Sequence, residues 1–522
     1  MTETPETTSL TASAPAEPPD GASAHSEGPT DILKDIQGGL IGFNKDHLRL
    51  LAVSFPDLAT AKAAVAELVP HLTNGYEVKK FNALYSEING RGGDPDKVVQ
   101  ARWVNLLLTR SGLEILGAPG PETLPEEFTQ GMAGRSSILG DTGKSAPENW
   151  IAPFTGGAEP HAVIMIAADQ LEGLEERTTW VTELCARHGV QVIATQQGDT
   201  RPAPNTGREH FGFKDGTAQP GIDRLTVSSK IGSGTIPLGE VLIGHPNAEG
   251  QISGQPSPVP PPAPTPYDPA PVPVPPVPLP EWMHNASFVV YRRLRQDAAA
   301  FHQAMNDQAP TVTLPTGVAM TPDQLSAKLV GRWPSGAPME RVPGMPQVVD
   351  PSVQDPAEPW PPALGKTKID NFDYSDDPDG TRVPRAAHIR KMNPRADVLA
   401  EGDTSQRHRM VRRGITYGPE LQDGETPYGE VVPDTQDRGL LFVNYQSSIA
   451  RTFEFVQTRW ANREDFQQPG DGRDPLISQD TNPRTFNLPG HGTLNFEQWV
   501  FTTGGAYLVS LSLTGLNALT SA

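Results

Sequence analysis

Cysteine is almost missing from this chain: Cys185 is the only one in 522 residues. That excludes an intrachain disulfide and any zinc or iron–sulfur site built from several thiolates. Cys185 lies in the amphipathic stretch Leu171 to His188, where a small apolar residue is expected to be buried rather than reactive. Basic residues are missing from the start, since no lysine or arginine precedes Lys34. An export signal needs a basic n-region and an apolar core, or an arginine pair, and neither pattern is found there. No apolar run approaches the ~18 residues of a membrane span. Positive charge is scarce overall: 42 basic against 62 acidic residues give a net charge of −20, which disfavours nucleic acid and anionic membranes as partners. The expectation is a cytoplasmic protein without a membrane partner, with a disordered N-terminal tail over residues 1–34.

Proline and glycine, at 55 and 50, are plentiful, and the proline is concentrated. Pro256 to Pro280 carries proline at nearly every second position. Each proline removes an amide donor and fixes φ, so neither helix nor sheet forms there. The tract reads as a semi-rigid spacer inside a linker over 226–284. A second loop-rich region, about Pro334 to Gly380, is expected to wrap a surface near a site.

The rest is patterned as α+β. Leu48 to Phe55 reads as a buried strand, followed by a helix through Leu58, Ala61, Ala64, Val65 and Leu68. Trp103–Leu108, Ala162–Ala167 and Val190–Ile193 are further strands, with helices near 111–116 and over 170–188. This is a β-α-β, β-α-β order of the ferredoxin-like type. A comparable order recurs: strand Ala286–Arg292, helix Asp297–Met305, strand Gly439–Tyr445, helix Ser448–Trp460, strand Ala506–Leu511. The expected organisation is one module over 35–225, the linker over 226–284, a second module over 285–512, and a frayed tail over 513–522.

Two motifs carry chemistry. Phe211-Gly212-Phe213-Lys214-Asp215-Gly216 presents a lone carboxylate, and Ala387-His388-Ile389-Arg390-Lys391-Met392-Asn393-Pro394-Arg395 sets one histidine among arginines. Taken singly, Asp-Gly after an aromatic suits a turn, and His388 suits a surface or core position as well as a metal. A neutral imidazole is nevertheless a common ligand to haem iron, and a carboxylate with an arginine can split a peroxide.

In company these segments say more. Gly212 to Pro220, Asn285 to Asp297, His388 to Arg395, Arg412-Arg413-Gly414-Ile415-Thr416-Tyr417-Gly418, and Gly439 to Phe442 with Tyr445–Ile449 and Gln457-x-x-Trp460 occur in this order. Together they resemble the dye-decolorizing peroxidase family, from about Asp35 to Leu511. The resemblance implies two ferredoxin-like modules, antiparallel sheets with packed helices, with one haem b per chain held mainly by the second. It implies His388 as proximal iron ligand, Asp215 as distal acid and base, and Arg412 as distal arginine, with the neighbouring Arg413 as the alternative. Arg390 and Arg395 are the candidates to pair with the haem propionates, Glu454 to orient His388, and His408 to replace it as ligand.

The implied reaction reduces hydrogen peroxide through a ferryl intermediate and oxidises dyes, phenols or other organic donors by single electrons. The alternative is a haem-handling or iron-release protein using the same pocket. Trp282, Trp460, Trp499, Tyr445 and Tyr507 are available as electron relays, although such aromatics usually serve packing. A homo-oligomer and an encapsulating shell protein stay open as partners.

Overall fold

A computed structural model describes residues 27–43, 45–93, 99–151, 154, 159–226, 234–255, 278–343, 370–397, 399, 405–421, 435–479 and 483–521. Most of the expected N-terminal tail and the proline tract from 256 to 277 lie outside the described residues.

The four strands of the first module are β1 (His47–Ser54), β2 (Arg102–Leu108), β3 (Ala162–Ala168) and β4 (Gln191–Asp199). Those of the second are β5 (Ser287–Gln296), β6 (Val411–Arg412) with β7 (Ile415–Tyr417), β8 (Gly439–Gln446) and β9 (Val500–Ser510). All pair antiparallel, in the order β4-β1-β3-β2 and then β9-β5-β8-β6, with β7 also on β8. Each module therefore has the ferredoxin-like arrangement in which its fourth and first strands are neighbours and its third and second follow.

The two sheets are one. Leu108 of β2 stands opposite Val509 of β9, which makes a continuous sheet of nine strands. Beyond that pair the strands part, and buried Gln37 spans the seam. Its amide donates to Leu106 O (2.8 Å) and Leu511 O (2.9 Å) and accepts from Leu106 N (2.7 Å). At the far edges Thr416 Oγ1 donates to Asp199 O at 2.5 Å, which draws β7 toward β4, yet the described residues form no ladder that closes a barrel.

Both faces of the sheet are covered, so inner strands read as apolar runs rather than alternations. Ala162, Ile164 and Ile166 of β3 join one core with α1 (Leu58–Leu68), while Val163, Met165 and Ala167 join the other. Asp57 caps α1 by accepting from Thr60 N at 2.8 Å, and the apolar residues expected on its inner face, Ala61, Ala64, Val65 and Leu68, are buried.

Three sequence expectations are corrected by packing. Residues 29–34 are not tail: Pro29–Asp35 is helical, with Ile32 and Leu33 in the core. The linker is not only a spacer, because Leu238, Val241 and Leu242 are buried in that same core. The C-terminus is not frayed. Leu513–Ser521 forms α2, whose Leu516 and Leu519 enter the core that contains α1. A side chain at Gly515 would place its Cβ 2.3 Å from Trp282 O, so glycine permits this close docking. Cys185 is buried, and burial pushes its thiol up to about 11.

Candidate active site

A cavity of about 520 Å³ lies between the second module and the loop that follows β4. His388, Asp215, Arg412 and Arg395 all line it, although they come from segments far apart in the chain. Its apolar walls include Leu294, Val330, Met392, Phe453, Val456 and Leu476.

His388 opens the short helix His388–Met392. Its Nδ1 lies 2.8 Å from Oδ2 of Asp474, whose side chain is fully buried. The other Asp474 oxygen accepts the amides of Leu476 (2.8 Å) and Ile477 (2.9 Å). Burial opposes ionisation of this carboxyl, but His388 and those amides outweigh it and hold it below its ordinary range. An ionised Asp474 only accepts, so the His388 proton sits on Nδ1 and the lone pair on Nε2. Among the described residues no group hydrogen-bonds Nε2. This is how a carboxylate orients a metal-binding imidazole.

Glu454, the expected orienting residue, does not reach His388. It accepts from Arg135 Nε (2.5 Å) and Nη2 (2.6 Å) and from the Tyr507 hydroxyl (2.8 Å). It belongs to a stretch wound as π-helix, Ala450–Glu454 and then Val456–Ala461, rather than the regular helix expected there. The amides of Glu454 and Asn462 bond five residues back, to Ile449 O and Gln457 O, each at 3.0 Å. That winding carries cavity-lining Phe453, Val456 and Gln457.

Asp215 is exposed toward the cavity in a tight loop. Gly216, with φ +65°, donates its amide to Asp215 Oδ1 at 2.6 Å. Half-buried Glu209 shapes the loop by accepting the amides of Phe211 (2.8 Å) and Phe213 (2.9 Å) and the Gln296 side chain (2.6 Å). Burial raises its pKa. Arg412 joins the same wall: its Nη2 donates to Ala218 O at 2.9 Å, and Gln219 bonds its backbone in both directions, at 3.2 and 3.3 Å. Arg413 lines the cavity as well, but its Nη2 is turned to backbone, donating to Leu40 O (2.7 Å) and Ile41 O (3.1 Å). Burial brings it down to about 10.

The two arginines of the His388 motif separate. Arg390 is fully buried away from the cavity, paired with Asp377 (3.2 Å) and Asp397 (2.8 Å) over the Tyr374 ring. With its charge satisfied inside the protein, it is not placed to meet a propionate. Arg395 does line the cavity, with φ +58°, bonds to Asp370, and a buried Nε without a partner among the described residues. Arg409, absent from the sequence expectations, lines the cavity too; burial, then neighbouring Arg395, brings it down to about 10. His408 also faces the cavity, with Nδ1 2.6 Å from Arg451 O and its ring stacked 3.8 Å over Phe455. The five aromatic relay candidates are all buried, so none presents a surface end for electron transfer.

These residues fit a flat, amphipathic, dianionic ligand that carries a metal. The walls are apolar, one imidazole nitrogen is fixed and open, and Arg395, Arg409 and Arg412 are among the lining residues. The description "DyP dimeric alpha+beta barrel domain" matches residues 35–202, and "Dyp-type peroxidase, C-terminal" matches 361–469. Dye-decolorizing peroxidase msp1 of Mycetinis scorodonius is 30% identical, over 99% of this chain and 93% of that protein. The chain belongs to the dye-decolorizing peroxidase family. Among solved members, an ancestral D-type dye decolorizing peroxidase superposes with a TM-score of 0.76 at 29% identity, covering 94% of this chain and 99% of its own. A dye-decolorizing peroxidase in complex with 2,6-dimethoxyphenol gives 0.73 at 29% identity with the same coverage. Membership makes this chain a haem-dependent peroxidase. No helix among the described residues is long and apolar enough to cross a membrane.

Proposed function

We propose that the cavity binds one haem b, with His388 as its protein ligand, and that the protein reduces hydrogen peroxide at the expense of dyes, phenols or similar organic donors. When bound, the haem supplies the redox-active iron. The observation that carries this reading is the meeting of His388, Asp215 and Arg412 around one cavity. Asp474 sets which His388 nitrogen faces outward. Asp215 Oδ2 is the atom left to take a proton from entering peroxide and return it to the departing oxygen, since Oδ1 already holds the Gly216 amide. Arg412, anchored through Ala218 O, offers its guanidinium to the negative charge that develops there. Arg395 and Arg409 offer cations to the propionates.

A haem-handling protein needs an imidazole and basic groups but neither Asp215 nor Arg412 in its pocket, so their convergence favours the peroxidase. A cytoplasmic location belongs to the same proposal and is tested by fractionation of the producing cells; size-exclusion chromatography tests for a homo-oligomer or a shell complex.

The deciding experiment is the visible spectrum of the haem-loaded protein before and after one equivalent of hydrogen peroxide. A Soret band that changes rapidly and returns when a phenol is added is the expected result. A band that ignores peroxide moves the reading to haem handling, and failure to bind haem removes His388 from its role.

A further inference from the structure

Away from the haem cavity, three segments distant in sequence bring Glu27, His245 and His284 together. One nitrogen or oxygen ligand atom from each lies within 4.8 Å of the other two. His284 Nε2 and Glu27 Oε2 are 3.5 Å apart. A tetrahedral zinc ion, with bonds of about 2.0–2.1 Å, holds its ligands roughly 3.3 Å from one another. That pair therefore already stands at ligand spacing, and the His245 ligand atom lies within 4.8 Å of both.

The surroundings orient the donors. Asn285, with φ +60°, gives its Nδ2 to Glu27 Oε2 (3.1 Å) and Asp35 Oδ2 (2.9 Å). Two carboxylates accept only, so they settle which end of the amide is nitrogen. Asn285 Oδ1 then faces His245 Nε2 at 2.6 Å and must accept its proton, which leaves the lone pair of His245 on Nδ1. His284 is held from the other side. Its Nδ1 would lie 2.2 Å from a Cβ at position 244, so Gly244, with φ +91°, makes room for the ring and leaves Nε2 toward Glu27. Arg224, whose field reaches His245, lies 3.8 Å from Asp223.

Two imidazoles and a carboxylate suit a borderline-soft divalent ion and not calcium or magnesium, which favour all-oxygen shells. We propose that Glu27, His245 and His284 bind one Zn²⁺, with water in the fourth position, and that this ion ties the segment leading into helix Pro29–Asp35 to both flanks of the proline-rich insertion. The site is independent of peroxide chemistry, since none of its ligands lines the haem cavity.

The test uses the tag-free, haem-loaded full chain, treated with chelator and titrated with ZnCl₂ by calorimetry, alongside His284→Ala and Glu27→Gln. Both substitutions fall on partly exposed side chains (46% and 35%) and leave the core intact. The wild type is expected to take up one Zn²⁺ per chain with a raised Tm. Each variant should bind at least about tenfold more weakly, with peroxide turnover unchanged. Absence of stoichiometric uptake by the wild type, or equal uptake by the wild type and both variants, overturns the proposal.

Discussion

His388 Nδ1 is held 2.8 Å from Asp474, and that carboxylate is itself pinned by two backbone amides. The imidazole thus inherits its direction from a residue that cannot turn. Replacing Asp474 by alanine should weaken haem retention ~10–100-fold, the usual effect of losing such a support. Haem transfer to an apo-acceptor protein measures this. Transfer as slow as in the wild type would show that Asp474 does not orient the ligand.

Arg412 and Arg413 are expected to fail in different ways. Arg412→Ala should slow reaction with hydrogen peroxide ~10²–10³-fold, as loss of a preorganised donor does, with little change in Tm. Arg413→Ala leaves the carbonyls of Leu40 and Ile41 without their donor, so it should cost about 1–3 kcal/mol of stability and spare the peroxide rate. Stopped-flow kinetics and thermal melts on both variants decide the assignment; the opposite pattern reverses it.

Asp215→Asn keeps the oxygen that accepts the Gly216 amide but removes the base. A fall of ~10²–10⁴ in the peroxide rate is expected, with an unchanged melting curve because the side chain is exposed. A variant as fast as the wild type would assign the proton transfer to another group.

Glu127 makes stability depend on pH. Burial first, then the Glu454 carboxylate, raises its pKa to about 7 in the folded protein, against 4.5 ordinarily. Between these values the unfolded chain loses a proton that the native state keeps, so stability falls as pH rises through this window. The loss is on the order of 3 kcal/mol, taking 1.36 kcal/mol per pKa unit. Glu127→Gln should therefore raise Tm at pH 8 and change it little at pH 4. A Tm difference independent of pH would contradict this origin.

Leu516 is fully buried where α2 docks on the first module. Leu516→Ala should destabilise the protein by about 2–5 kcal/mol through lost burial and a cavity, read by denaturant unfolding. A change below about 0.5 kcal/mol would mean that the docked terminus contributes little.

Sequence legibility followed element length and range. Leu48–Phe55 and Ala162–Ala167 declare strands because several consecutive apolar residues face two cores, and the structure makes them β1 and β3. β6 and β7 have two and three residues, separated around Gly414, whose Cβ would lie 2.8 Å from Leu441 O. Too few residues are present there to show a period. The stretch from Ala450 to Ala461 carries helical side chains, yet its wider π winding depends on what it packs against. Arg390 and Arg395 look equivalent in sequence, and only Asp377 and Asp397 on one side, against the cavity on the other, tell them apart.

By itself the sequence determined the α+β class and the order of strands within each module, and it marked His388, Asp215 and the Arg412–Arg413 pair as candidate chemistry-bearing groups. Those follow from local apolar patterning and from motifs a few residues long. Tertiary structure alone decided that both modules share one sheet through Leu108 and Val509, that Asp474 rather than Glu454 hydrogen-bonds His388, and that Arg412 bonds Ala218 O of the Asp215 loop whereas Arg413 bonds Leu40 O. Asp474 is 86 positions from His388 and Ala218 is 194 from Arg412. Contacts at such separations depend on how whole elements pack, and no local pattern records that.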